Sequence, residues 1–103
     1  MDDRTLLELA AKAVNGGGWH PLTHSTPDGR EWNPLTDDGD ALRLAVKLGI
    51  GVLFDLQDEK VTAYEQMPHD GYHVEFADEQ EPAAATRRAI VRAAAELGRQ
   101  TNG

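Results

Sequence analysis

One segment, PAAATRRAIVRAAAELG over residues 82–98, constrains the fold more than any other. Proline is favoured at the first position of a helix and glycine just after the last, so this segment predicts a helix that begins at Pro82 and is ended by Gly98. Its many alanines allow another element to approach closely. The expected buried stripe is Thr86 or Arg87, Ile90, Ala94 and Leu97.

A second helix is predicted near the N-terminus, from about Asp3 to Val14. Asp2 and Asp3 supply a cap and the negative charge that a helix N-terminus favours. The segment NGGG, residues 15–18, ends the helix because these residues accept left-handed backbone angles at little cost. The expected buried stripe is Leu6, Ala10, Ala13 and Val14.

A third helix is predicted from about Asp37 to Leu48, with Thr36 as its cap and Gly49 after its end. Arg43 and Lys47 form an outward row in which the cations lie toward the C-terminus, where the helix dipole favours them. The expected buried stripe is Leu42, Ala45, Val46 and Gly49.

Three segments then alternate apolar and polar residues with the period of a strand, which predicts an antiparallel meander. They are GVLFDL, VTAYEQ and YHVEFA, joined by short turns. Val52, Phe54 and Leu56 are expected on one apolar face, together with Val61 and Ala63 of the next strand. The loop before the third predicted helix contains the turn signal TPDG, around which we expect a short ribbon anchored by Trp19 and Trp32. Together these elements predict one α+β domain over residues 1–103, an α/β/α sandwich in which three helices cover a small antiparallel sheet of three or slightly more strands.

The composition excludes several kinds of chemistry. The 103 residues include no cysteine, so disulfides, thiolate catalysis and cysteine-ligated zinc are excluded. A formal net charge of −8 disfavours indiscriminate phosphate binding and anionic membranes, and it favours a basic partner. The N-terminus lacks the pattern of a signal peptide and no apolar run would span a bilayer, so we expect a cytoplasmic protein without a membrane partner.

Three acids, Asp37, Asp38 and Asp40, allow two interpretations. Several oxygens close together suit calcium or magnesium, but the spacing does not match a calcium-binding loop and no closing acid follows. A helix start explains every residue instead, because free N–H groups and the helix dipole attract negative charge. We therefore predict a helix start, which becomes a binding site only if a basic partner docks there.

The histidines form two pairs with metal-ligand spacing, His20 with His24 and His69 with His73. Neither pair falls on a predicted helix, so ordinary turn histidines are favoured over zinc ligands. No nucleophile setting and no phosphate loop can be recognised. The sequence thus predicts neither an enzyme nor a bound cofactor.

The final predicted helix carries four arginines, Arg87, Arg88, Arg92 and Arg99. Their guanidinium groups suit phosphates and carboxylates. We favour pairing with the protein's own acids, such as the TDDGD segment, and the alternative is a small anion pocket. The candidate binding residues are Arg87, Arg88, Arg92, Trp32, Asp37, Asp38 and Asp40.

Over Trp32 to Ile50 and Ala83 to Gly98 the chain resembles a group of small proteins of tailed phages and prophages, the phage ABA-sandwich domain proteins. The resemblance implies helices on both faces of an antiparallel sheet. It also implies an accessory protein that acts in the bacterial cytoplasm, often against host defences. No functional residue is carried over from that group.

Two binding functions follow, with a third less favoured. The leading hypothesis is an anti-CRISPR-like inhibitor whose excess acid complements a basic surface on a host protein complex. The alternative is a sponge that sequesters a nucleotide signal, with an arginine on phosphate and an aromatic ring on the base, in a pocket at the interface of a homo-oligomer. Direct binding to RNA or DNA is least favoured, because of the negative charge.

Overall fold

The computed structural model describes residues 2–14, 32–65, 72–76 and 81–99, and of residues 72–76 it describes the backbone. The elements in chain order are the helices α1 (Asp3–Val14) and α2 (Asp38–Leu48), the strands β1 (Gly51–Asp55), β2 (Lys60–Tyr64) and β3 (Tyr72–Phe76), and the helix α3 (Pro82–Arg99). The predicted α+β class, with three helices and an antiparallel sheet, is confirmed.

The strands pair antiparallel in the order β1-β2-β3. The Cα atom of Val52 lies opposite that of Ala63, and Phe54 lies opposite Val61. Opposite residues in an antiparallel pair share a face of the sheet. Val61 and Ala63 are buried in the core, so the face of the sheet that they share with Val52 and Phe54 is the core face at β2. Phe54, on the neighbouring strand β1, is nevertheless exposed.

Helix α3 is the centre of the molecule. It contacts β2 and β3, and both α1 and α2 pack against it. A helix buried on most sides is typical of a core rather than of a surface. Ile90 and Ala94 of the predicted stripe are buried, and the buried set is larger than that stripe. It consists of Ala85, Ala89, Ile90, Val91, Ala93, Ala94, Ala95 and Gly98. Helical cover on both faces of the sheet remains a prediction.

The prediction that Gly98 ends α3 is wrong, because the helix continues to Arg99. Gly98 instead allows α1 to approach: a Cβ atom built there would lie 1.9 Å from the carbonyl oxygen of Leu9 and 2.7 Å from its carbonyl carbon. Ten residues earlier, the Arg88 guanidinium donates to Asp3 Oδ1 at 3.1 Å. The earlier residue of α3 contacts the earlier residue of α1, and the later residue of α3 contacts the later one, so the two helices run parallel.

The predicted bounds of α1 and its cap are confirmed. Asp2 Oδ1 accepts a hydrogen bond from the backbone N–H of Thr5 at 2.8 Å, and this bond lowers the pKa of Asp2. Leu6 and Ala10 are buried as expected. Ala11 joins them, whereas Ala13 and Val14 are half-buried.

Several predictions fall outside the described residues, namely the NGGG helix stop, the TPDG ribbon and the anchoring of Trp19. Trp32 is described, and it is half-buried and packs against the core. None of the described helices is long and apolar enough to cross a membrane.

The contact at Gly98 gives a stability prediction. Gly98→Ala should lower the free energy of unfolding by about 1–3 kcal/mol, because the new methyl group meets backbone atoms that cannot turn aside. Urea unfolding followed by circular dichroism measures the change.

A matched control is Gly39→Ala in α2, where the Cβ would meet side-chain atoms of Arg43 and Asp37 at 3.2 Å. Those atoms are able to shift, and alanine has the higher helix propensity, so the change should stay within about 1 kcal/mol. Equal effects of the two substitutions would show that the close approach of α1 and α3 does not limit stability.

Candidate functional site

The turn before α2 is held by the backbone and side chain of Asn33. Its carbonyl oxygen accepts from the N–H groups of Thr36 and Asp37 at 3.1 and 3.0 Å. Its side-chain Oδ1 accepts from Leu35 N at 3.0 Å. The cap of α2 is Asp37, whose carboxylate accepts from Asp40 N at 2.8 Å. The predicted Thr36 cap is therefore wrong by one residue, because the Asn33 turn already engages the Thr36 hydroxyl at 3.4 Å.

Asp40 is fully buried and fixes the rotation of α2. Its carboxylate accepts from Asn33 N at 2.9 Å and from Arg43 Nη2 at 2.6 Å. Burying Asp40 turns the opposite side of the helix outward, since a residue two positions on lies roughly 200° further round the axis.

The predicted buried stripe of α2 is consequently wrong for most of its members. Leu42 is 64% exposed and Val46 is 74% exposed, and Gly49 is exposed as the left-handed C-cap. Ala45 is buried as predicted. The residues that face the core are Asp40, Ala41, Leu44 and Ala45.

The acidic cluster begins a helix, as predicted. Asp37 caps it, and Asp38 and Asp40 lie in its first turn. Asp38 pairs with Arg87, whereas Asp37 and Asp40 both lie within 4.0 Å of Arg43 Nη2. Over the described part of the chain, no group of three or more His, Cys, Asp or Glu residues is arranged to hold a metal ion. Of the histidines, only the backbone of His73 is described, and its Cα atom lies opposite that of Ala63 in the sheet.

The arginines of α3 contact the protein's own acids, as favoured from the sequence. Arg87 donates from Nε to the carbonyl oxygen of Leu35 at 2.8 Å and from Nη1 to Asp38 Oδ1 at 2.6 Å. Arg88 contacts Asp3, and Arg99 contacts Glu96 at 3.0 Å. Arg92 is half-buried and also interacts within the chain.

A groove with a volume of about 810 Å³ opens between α2, β1 and α3. Its outer walls are Leu42 and Val46 from α2 and Phe54 from β1, and its floor includes Ala45 and Ile90. The groove is therefore mostly apolar, and its charged groups are the Asp38–Arg87 ion pair. The remaining lining residues are Ala41, Gly49, Ile50, Gly51, Val52, Pro82, Ala83 and Thr86.

Two of the predicted binding residues, Asp38 and Arg87, thus meet in this groove. The others do not line it: Asp37, Asp40 and Trp32 belong to the turn before α2 and the core, and Arg88 and Arg92 lie elsewhere on α3. The sequence analysis missed Leu42, Val46 and Phe54 as surface residues. No local signal marked the first two as exposed, because the facing of α2 follows from the contact of Asp40 with Asn33, seven residues earlier in the chain.

The Asp40 network gives a testable prediction about the wall of the groove. Asp40→Ala should lower the free energy of unfolding by about 2–4 kcal/mol, because it leaves the partly buried N–H of Asn33 without its acceptor and removes a charge-assisted bond from Arg43. Asp38→Ala is the control: its partner is Arg87, but its side chain is 77% exposed, so we expect a loss of less than about 1 kcal/mol. Urea unfolding of both variants measures the difference, and a similar loss in the two would contradict a structural role for Asp40.

Comparisons with protein-family models, with curated proteins and with solved structures find no match for this chain. The resemblance to phage ABA-sandwich domain proteins therefore stays a prediction.

Proposed function

We propose that the protein acts by binding, and that its groove sequesters a small nucleotide-like molecule. The observation that carries this proposal is the meeting of an exposed aromatic ring, an arginine and a carboxylate around one open apolar groove, at Phe54, Arg87 and Asp38. Ligand sites in proteins have volumes of about 300–1,000 Å³ and combine apolar walls with a few polar groups. At about 810 Å³ the groove falls within that range.

Each of the three residues suits one part of a nucleotide. The Phe54 ring is 64% exposed, so a base can stack on it. A guanidinium has five N–H donors, and the contacts of Arg87 with Leu35 and Asp38 use two of them, so Arg87 can also donate to a phosphate oxygen. The Asp38 carboxylate accepts hydrogen bonds, as from the hydroxyls of a ribose.

The polar groups of the groove support sequestration rather than turnover. The hydroxyl of Thr86, which lines the groove, donates to the carbonyl oxygen of Pro82 at 2.8 Å within the first turns of α3. This bond directs the hydroxyl proton to the helix backbone, which is the arrangement of a structural rather than a nucleophilic hydroxyl. The proposed role is thus that of a sponge, in the bacterial cytoplasm that the sequence resemblance implies.

A ligand screen tests this function. Among ADP-ribose derivatives and cyclic nucleotides, at least one should bind and raise the melting temperature. A ligand at 100 times its Kd stabilises by about 2.7 kcal/mol, which raises the melting temperature by about 11–20 °C for a domain of this size. Arg87→Gln and Phe54→Ala should each weaken binding about tenfold in calorimetric titrations.

Arg99→Gln is the matched control, because Arg99 is an exposed arginine of the same helix whose partner is Glu96 and which lies outside the groove. Its affinity for the ligand should equal that of the wild type. Absence of any heat and any melting shift across the screen would refute the sponge.

A second candidate function is the inhibition of a host protein complex, anti-CRISPR-like, and the charge distribution favours it. Arg4, Arg43, Arg87, Arg88 and Arg99 each contact an acid of the same chain, so these cations are largely compensated within the molecule. The excess of eight negative charges then lies on acids such as Asp58, Glu59 and Glu81, which are exposed. Such a surface complements a basic partner and disfavours direct binding to RNA or DNA.

Salt dependence tests this second function. A complex captured from host lysate should weaken as ionic strength rises, since screening reduces attraction between exposed charges. Replacing Asp58 and Glu59 with Asn and Gln should lower the association rate. A complex that strengthens with salt would exclude this mode of inhibition.

A further inference from the structure

We propose that two copies of the chain pair through α2 and β1, forming a symmetric dimer that covers the open side of the groove. Three large apolar residues carry this proposal, because Leu42, Val46 and Phe54 are each more than 60% exposed and all line one groove. Monomeric soluble proteins rarely leave a contiguous apolar surface of this kind uncovered.

The strand next to this surface is suited to pairing. Among the described strands β1 lies at the edge of the sheet, with β2 on one side. Alternate backbone N–H and C=O groups of an edge strand point away from the sheet, and natural proteins usually protect such an edge with proline or lysine. The sequence of β1, GVLFD, contains neither.

A second copy fits because the surface is self-complementary. In a two-fold arrangement β1 would pair antiparallel with its own copy, and a register centred on Leu53 would place Val52 opposite Phe54 of the other copy. The two elements match in length, since the five residues of β1 span about 17 Å and the eleven of α2 about 16 Å.

The charges at the two ends of α2 favour the same arrangement. Asp38 lies in the first turn of the helix and Lys47 in the last. A two-fold axis would place the Lys47 end of one copy beside the Asp38 end of the other, with the helix dipoles antiparallel.

Net charge opposes the association of two copies, and the dimer should therefore show a characteristic dependence on salt concentration. Each copy carries a formal charge of −8, so the copies repel one another at long range. Salt screens this repulsion and leaves the burial of apolar surface intact. The dimer should therefore tighten as sodium chloride is raised from about 0.05 M to about 0.5 M, which is opposite to the expectation for a complex with a basic host protein.

Sedimentation equilibrium of the full chain, without nucleotide, tests the proposal. Wild-type protein should be a dimer at micromolar concentration. Val46→Asp should raise the dimer dissociation constant about a hundredfold, because a two-fold interface contains each substitution twice. Thr5→Asp is the matched control: Thr5 is exposed on α1 and belongs neither to the groove nor to α2 or β1, so the same added charge should change that constant less than about threefold.

Three results would overturn the proposal. These are a monomer at every concentration, a dimer unaffected by Val46→Asp, and equal dissociation by Val46→Asp and Thr5→Asp. The proposal does not depend on the sponge function: a dimer that binds no nucleotide would refute the sponge alone, and a monomer that binds nucleotide would refute the dimer alone.

Discussion

The contact between the backbones of α1 and α3 is the constraint on which the rest of the structure depends. At Gly98 the two helices are so close that no side chain fits between them. This approach makes α3 a central helix, with α1 and α2 packed against it and the sheet also in contact with it. Because α3 is buried on most sides, its few polar side chains contact the neighbouring helices. Arg87 and Arg88 reach the first turns of α2 and α1 respectively, and so link both helices to α3.

The buried carboxylate of Asp40 determines what the protein presents to its surroundings. A carboxylate without exposure is stable only with good partners, and here the Asn33 N–H and the Arg43 guanidinium supply them. The same contacts direct Leu42 and Val46 away from the core. The apolar walls of the groove therefore result from a polar interaction on the opposite side of the helix. A hydrogen-bond network in the interior thus determines which apolar side chains are exposed on α2.

Much of the fold could be predicted from local signals. The helix bounds follow from Asp2, Pro82 and Gly49, and the strand bounds from period-two alternation, because capping and pleating depend on neighbouring residues alone. The facing of α2 could not be predicted in the same way. Hydrophobic periodicity assumes that apolar residues face inward, and Asp40 reverses that assumption through a partner seven residues earlier in the chain.

In the candidate site, too, some residues could be predicted from the sequence and others depend on tertiary packing. Asp38 and Arg87 were identifiable because opposite charges on one small domain tend to meet, although they are 49 residues apart. Phe54 was expected on the core face of the sheet, and the register agrees, but nothing local indicates that the helices leave that edge of the sheet open. The role of Gly98 was hidden for a similar reason. A glycine near a helix end is usually a stop signal, and only tertiary packing distinguishes a stop from a crossing point.

The small side chains of α3 have a consequence for how stability varies with temperature. Most of the buried hydrophobic residues among those described are alanines. An alanine loses no rotamer entropy when it is buried, but it also removes little apolar surface from water. The heat capacity of unfolding scales with the apolar surface exposed, so it should be low for a chain of this length. A low value flattens the curve of free energy against temperature. A core of this kind accordingly has a lower maximal stability, but a stability that changes little between low and high temperature.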